Sequence, residues 1–104
     1  MDETKIRTPQ AELLMQAMLS LKDTDEAFCF FEDLCTIAEI RSMSQRFEVA
    51  ILLRQKVTYQ EIARMTGAST ATISRVNRCL NYGLNGYTRV LDTLQEKGYL
   101  KETK

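Results

Sequence analysis

The stretch TYQEIARMTGASTATISRVNRCL, which runs from Thr58 to Leu80, decides the fold because it has the pattern of two short helices joined by a tight turn. Its first residue and Glu61 form a capping box that begins the first helix, and Ser69 caps the second. Between them, Gly67 can adopt the positive φ of a sharp turn, and Ala63 is small enough to let the helix backbones approach. The pattern predicts a helix-turn-helix.

The outward face of this motif is polar and basic. Apolar Ile62, Ala68, Ile73 and Val76 recur at the spacing that packs the second helix onto the first. Five basic residues and one acid lie between Arg54 and Leu80, which supplies attraction to phosphate. The side chains left facing outward are Tyr59, Gln60, Thr70, Thr72, Ser74 and Arg78. These features favour a DNA-binding surface.

The start of the second helix carries short groups that can contact a base edge. The hydroxyls of Ser69, Thr70 and Thr72 can hydrogen-bond phosphate or bases, and Ala71 can touch a thymine methyl group. Several of these residues also have a purely structural interpretation. Ser69 and Thr72 could act only as helix caps, and Tyr59 could be a core residue. Arg78 could be a solvated side chain without a partner, and Arg75 could pack against its own domain.

Helix signals also occur on both sides of the motif. Thr8-Pro9 begins a helix to about Leu21, and Asp23 with Glu26 begins another. Thr36 with Glu39 opens the longest helix, Ile37 to about Gln55, and a last helix spans about Tyr87 to Lys97. Gly83 is expected to end the second helix of the motif in the left-handed conformation. We therefore expect one all-α domain over residues 1–104, with an N-terminal arm and helix (1–22), dimer-core helices (23–57), the helix-turn-helix (58–82) and a C-terminal helix (86–98).

The long helix carries more apolar surface than one face can bury in a chain of 104 residues. Val49, Leu52 and Leu53 widen its apolar stripe, and the preceding helix adds Phe28, Phe30 and Phe31. This surplus favours burial against a second copy of the chain, and therefore a homodimer. The alternative is a core formed entirely within one chain.

Composition excludes several classes of function. Cys29, Cys35 and Cys79 lack metal-ligand spacing and the chain has no histidine, so we expect no disulfide framework, no metal and no cofactor. Buried thiols in a reducing, cytoplasmic setting are the expectation. The sequence offers no nucleophile–base pair of the kind that catalyses reactions, so we do not expect an enzyme. No apolar run is long enough for a membrane span. Residues 1–40 hold nine acids and three bases, and because the net charge is zero, the rest of the chain is correspondingly basic.

The segments from Thr36-Ile-Ala-Glu-Ile to Thr72-Ile-Ser-Arg75 resemble the Trp repressor superfamily. The string TGASTATISRVNRCLNYG, from Thr66 to Gly83, is similar to the YerC/YecD branch of Trp repressor-related proteins. The resemblance extends from about Leu21 to Lys97. It implies an intertwined helical dimer whose recognition helices enter successive major grooves roughly 34 Å apart. The family's DNA contacts map onto Tyr59, Gln60, Ser69, Thr70, Ala71, Thr72 and Ser74.

The resemblance also implies a small-molecule effector pocket. Its stacking arginine matches Arg75, a second arginine matches Arg46 with one gap or Gln45 without, and a threonine matches Thr36 or Cys35. Two positions depart from the family: Val76 replaces a glycine, which would narrow the pocket, and Cys79 replaces a serine that holds the ligand's polar end. We expect an effector, if one binds, to be different from tryptophan.

The sequence therefore predicts a Trp repressor-like homodimer that binds double-stranded DNA in the major groove and regulates transcription, as a repressor. A protein-interaction module on the same fold is the alternative, which zero net charge favours. Such a module would lack the salt-dependent DNA affinity of a regulator.

Overall fold

The computed structural model describes residues 4–101, and within that range it contains six α-helices and no β-strand. The helices are α1 (Pro9–Leu19), α2 (Thr24–Leu34), α3 (Ile37–Arg54), α4 (Tyr59–Thr66), α5 (Thr70–Tyr82) and α6 (Gly86–Glu96). The all-α prediction is confirmed. None of these helices is long and apolar enough to cross a lipid bilayer.

The chain divides into two compact units, one up to Arg41 and one from Ser42 onward. α1 and α2 lie in the first unit and α4, α5 and α6 lie in the second, while α3 begins in one and ends in the other. The expectation of a single domain over residues 1–104 stays a prediction.

Side-chain caps explain where most helices begin. The Thr8 hydroxyl accepts from the Ala11 N–H at 3.0 Å and Pro9 follows in the first turn. At α3, Thr36 and Glu39 form a complete capping box: each backbone N–H donates to the other's side chain, at 2.8 and 3.1 Å. At α2, the Asp23 carboxylate accepts from the Glu26 N–H at 2.9 Å. These residues satisfy backbone donors that a helix leaves unpaired at its start.

The second unit has a closed apolar core. Val49, Ile62, Ile73 and Leu91 have no exposed surface, and they come from α3, α4, α5 and α6 respectively. The other buried members of this cluster are Ala50, Leu52, Ala68 and Val76. Removing so much apolar surface from water is the main contribution holding these four helices together.

The first unit differs, because none of its described residues is buried. Leu13 is 73% exposed and Phe28 is 71% exposed, although both belong to the apolar residues of their helices. Phe30 and Phe31 are half-buried and pack edge to face, with ring centroids 5.6 Å apart. The apolar side chains of α1 and α2 are therefore not sealed from solvent by this chain alone.

Three sequence-based expectations need correction. Val49 and Leu52 are buried inside their own chain, so they do not indicate a partner. Gly83 ends α5 with φ −86°, in extended rather than left-handed backbone, and glycine is required there because an added Cβ would lie 2.4 Å from the Cys79 carbonyl oxygen. The cysteines are not buried: Cys29 and Cys79 are exposed and Cys35 is half-buried.

The predicted helix ends are correct to within two residues. α1 ends at Leu19 instead of Leu21, and α5 continues two residues past Leu80. Helix ends are weakly specified by sequence, since the last turn has no side-chain cap comparable to that at the start.

Candidate nucleic-acid interface

The turn between α4 and α5 is formed by Gly67, as the sequence predicts. Gly67 has φ +74° in the left-handed region, and its N–H donates to the Ala63 carbonyl at 2.9 Å. Its neighbour Thr66 closes the turn: the hydroxyl donates to the Ile62 carbonyl at 2.8 Å and accepts from the Ala68 N–H at 3.1 Å. A residue with a Cβ would strain the backbone at this φ.

The turn is also tied to α3. Gln45 donates from Nε2 to the Thr66 carbonyl oxygen at 3.2 Å, and the bond is partly buried. That carbonyl belongs to the last turn of α4, where no helical N–H follows to pair with it. Gln45 therefore connects the core helix to the turn of the motif, a contact that the sequence did not reveal.

Burial fixes which face of the motif points outward. Ile62 of α4 and Ile73 of α5 are fully buried, and Val76 is 1% exposed. On the opposite side of α5, Thr70, Ala71 and Arg78 are exposed and Ser74 is half-buried, as is Thr72. α5 contains no acidic residue. The outward face is therefore polar, basic and made mostly of short side chains.

Ser69 and Thr72 act as caps and also remain at the surface. The Thr72 N–H donates to the Ser69 Oγ at 3.1 Å, and the two hydroxyls are 3.1 Å apart and hydrogen-bonded. Both structural and DNA-binding interpretations of these residues are thus compatible with the geometry, since Ser69 remains exposed.

α4 presents Tyr59 and Gln60 to solvent, with 37% of Tyr59 exposed. In the same helix, Arg64 donates to the Glu61 carboxylate from both Nε, at 2.6 Å, and Nη2. This bond lowers the pKa of Glu61 and raises that of Arg64. Arg64, one of the five basic residues between Arg54 and Leu80, is therefore already paired with Glu61, the only acid between Thr58 and Leu80.

Three of the four effector-pocket candidates, Cys79, Arg46 and Arg75, affect the pKa of Tyr87. Burial raises the pKa of the Tyr87 phenol, Cys79 adds to that rise, and the nearby charges of Arg46 and Arg75 oppose it. All three side chains are exposed. The fourth candidate, Thr36, lies in the first unit, where its hydroxyl and backbone are engaged in the α3 capping box.

An apolar cavity of about 580 Å³ opens beside Tyr87. The Phe47 and Tyr87 rings stack with centroids 6.4 Å apart. The lining residues are Phe47, Cys79, Gly83, Leu84, Gly86, Tyr87 and Val90. Val76, the residue expected to narrow an effector pocket, is 1% exposed and belongs to the buried core. Sequence reasoning missed Phe47 and Tyr87, because their meeting depends on how α3 and α6 pack.

The part of the chain between residues 4 and 101 contains no cluster of three side chains able to hold a metal ion.

Comparisons with known proteins converge on one family. The profile of the family described as Trp repressor protein matches residues 9–95. The uncharacterised protein YerC of Bacillus subtilis is 54% identical over 92 residues, which cover 88% of each chain.

Two solved structures are similar over most of their length. A TrpR-like protein from Eubacterium eligens superposes with a TM-score of 0.83 at 61% identity, covering 94% of this chain and 98% of that one. A structure from Staphylococcus aureus, assigned as a candidate Trp repressor, gives a TM-score of 0.83 at 46% identity, covering 88% and 91%.

Proposed function

Because this chain belongs to the Trp repressor protein family and has its all-α fold, we propose that it is a sequence-specific DNA-binding regulator of transcription that acts as a homodimeric repressor. The fold is that of a DNA-binding regulator. In the proposed complex α5 enters the major groove, and no residue of the chain has a catalytic role.

The outward face of α5 is the observation that carries the proposal. Thr70, Ala71 and Ser74 are short enough to let the helix approach base edges, and Arg78 adds a long cationic donor. In the Trp repressor, ordered water mediates much of the base recognition, so short polar groups are sufficient for specificity. Tyr59, Gln60, Ser69 and Thr72 complete the proposed DNA surface.

A homodimer is supported by apolar surface that the single chain leaves uncovered. The described part of the first unit buries no residue, and the second unit exposes Leu84 and Val90 at the rim of the Tyr87 cavity. Surface of this kind on a small protein marks an interface. A second copy of the chain is the occupant that the family fold implies.

We further propose that any effector acts near Arg46, Arg75 and Cys79 and is not tryptophan. Cys79 stands where the family has a serine for the ligand's polar end, and a thiol is a weak hydrogen-bond donor. The role of Thr36, the fourth candidate that the family resemblance implies, stays a prediction.

Selection of binding sites from a random duplex pool at moderate salt, with and without L-tryptophan, tests the function. The expected result is a palindromic site that is enriched equally in both conditions, since a symmetric dimer contacts two half-sites. Enrichment only with tryptophan would contradict the effector proposal while supporting the regulator.

Failure to enrich any sequence, together with no salt-dependent affinity for DNA, would contradict the regulator. The protein-interaction alternative, which the zero net charge favours, would then be the better account.

A further inference from the structure

Lys56 holds an unusual backbone conformation at the end of α3. Its φ is +66°, in the left-handed region that glycine adopts most readily. The Lys56 N–H donates to the Leu53 carbonyl at 3.0 Å, and the Val57 N–H donates to the Leu52 carbonyl at 3.1 Å. These paired bonds are the Schellman arrangement, in which the left-handed position is usually glycine.

α6 ends in the same way and uses glycine. Gly98 has φ +84°, its N–H donates to the Gln95 carbonyl at 3.1 Å, and the Tyr99 N–H donates to the Leu94 carbonyl at 2.9 Å. The chain therefore contains both versions of one helix ending, and the lysine version is the strained one. Strained residues of this kind concentrate at functional positions.

Helix capping does not account for the lysine. A positive charge near a helix C-terminus is favourable, but Arg54 already supplies one in the last turn of α3. Arg54 is held by Asp92 at 2.5 Å and Gln95 at 2.8 Å. Lys56 is exposed and forms no ion pair with any carboxylate between residues 4 and 101.

The position of Lys56 connects it with the proposed DNA surface. It lies two residues before Thr58, the cap of α4, and so beside Tyr59 and Gln60 in the chain. It also lines a cavity of about 400 Å³ whose other residues include Asn77, Asn81 and Thr88 beside Leu53 and Leu80. Asn77 and Asn81 continue a row that begins with Thr70 and Ser74, because residues three and four apart share one side of a helix.

We propose that Lys56 is a phosphate-binding residue that extends the DNA surface from the polar row of α5 to the end of α3. This inference rests on the proposed DNA-binding function. Lysine binds phosphate as a point charge, and such contacts position a protein on the duplex without reading its sequence.

Substitution Lys56→Gly tests the backbone strain and the charge of this residue together, because the two changes affect different measurements. Glycine relieves the backbone strain and removes the charge, so thermal unfolding should occur a few degrees higher while DNA binding weakens. A short mixed-sequence duplex at about 50 to 200 mM salt is the probe. The expected loss is about five- to tenfold in affinity, and the salt dependence of log K falls by about 0.9 for each phosphate contact removed.

Two further variants show whether the lost charge at this position causes the weaker DNA binding. Lys56→Arg keeps the charge and should bind like the parent chain. Lys97→Gln removes one charge at the end of α6 and should leave the salt slope unchanged. Equal slopes for Lys56→Gly and the parent chain would overturn the inference, as would equal losses for Lys56→Gly and Lys97→Gln. Absence of salt-dependent binding by the parent chain would instead overturn the proposed function.

Discussion

At the scale of a single residue, we expect Glu61 to oppose the proposed DNA binding, because it is the only acid between Thr58 and Leu80 and it is paired with Arg64. The lowered pKa of Glu61 keeps it charged at neutral pH, and the charged bond to Arg64 is lost only as the pH falls through that lowered pKa. We expect Glu61→Gln to bind a mixed-sequence duplex more tightly and with a salt slope steeper by about 0.9 for each contact that Arg64 gains.

The control for this change is Glu96→Gln, which removes an exposed acid from the end of α6 and changes the net charge by the same amount. Fluorescence anisotropy titrations over a range of salt concentrations measure both variants. An affinity gain of the same size in the two variants would assign the effect to net charge and not to the position of Glu61.

Arg78 is the long side chain of the proposed recognition surface. We expect Arg78→Ala to reduce affinity for the selected site by about tenfold, the range of one arginine contact to a base. Arg89→Ala, at an exposed arginine of α6, changes the net charge equally and should have little effect. Competition binding between selected and mixed-sequence duplexes measures the difference, and equal losses from both arginines would exclude a specific contact by Arg78.

At the scale of the element, the cap of α5 combines stability and recognition in one residue. Ser69→Ala removes the bond to the Thr72 N–H and should lower the free energy of unfolding by about 1 kcal/mol. Ser69→Asp caps a helix equally well, but places a negative charge where phosphate is expected. We therefore expect Ser69→Asp to keep its unfolding temperature and lose DNA affinity. Retained affinity in this variant would exclude the start of α5 from the interface.

A second prediction at this scale concerns the turn of the helix-turn-helix, which the hydrogen bond from Gln45 to Thr66 should stabilise. Gln45→Met keeps the length of the side chain but cannot donate, so the Thr66 carbonyl loses its partner. The expected cost is about 1 kcal/mol, measured by denaturant unfolding, with Ser44→Ala on the same helix as a neutral control. An unchanged unfolding midpoint would show that Gln45 contributes nothing to holding the turn.

Local signals made these elements predictable. Each capping residue and the turn glycine act within four residues, so the sequence alone located α3, α4, α5 and the motif correctly. The misassigned end of α5 follows from the same limit, because the role of Gly83 depends on a close approach to the Cys79 carbonyl and not on a left-handed φ. The Glu61–Arg64 pair was also within reach of sequence reasoning, since residues three apart on a helix can interact.

For the molecule as a whole, dimerisation is the property to measure first. Sedimentation should give twice the 12.0 kDa of the chain. Val90→Asp places a charge at the rim of the Tyr87 cavity and should yield a monomer, whereas Thr93→Asp, an exposed position of the same helix, should remain a dimer. A Val90→Asp variant that stays dimeric would show that this cavity lies outside the dimer interface.

The family resemblance that the sequence suggested is confirmed, and the fold with it. What could not be predicted depends on contacts between distant residues. Val49 and Leu52 were expected to face a partner, yet α4, α5 and α6 supply enough apolar surface to bury them within the chain. The stacking of Phe47 on Tyr87, which forms the floor of the cavity, joins residues forty positions apart and leaves no local pattern.

The absence of buried side chains between residues 4 and 41 has a consequence for the lifetime of the protein in a cell. A segment without a core of its own unfolds locally at low cost, and proteases cleave such segments when they open. Association that covers α1 and α2 would protect them to a degree that rises with the protein concentration. We therefore expect newly made chains at low concentration to be degraded faster than chains at high concentration, so that the protein would accumulate only above a threshold abundance.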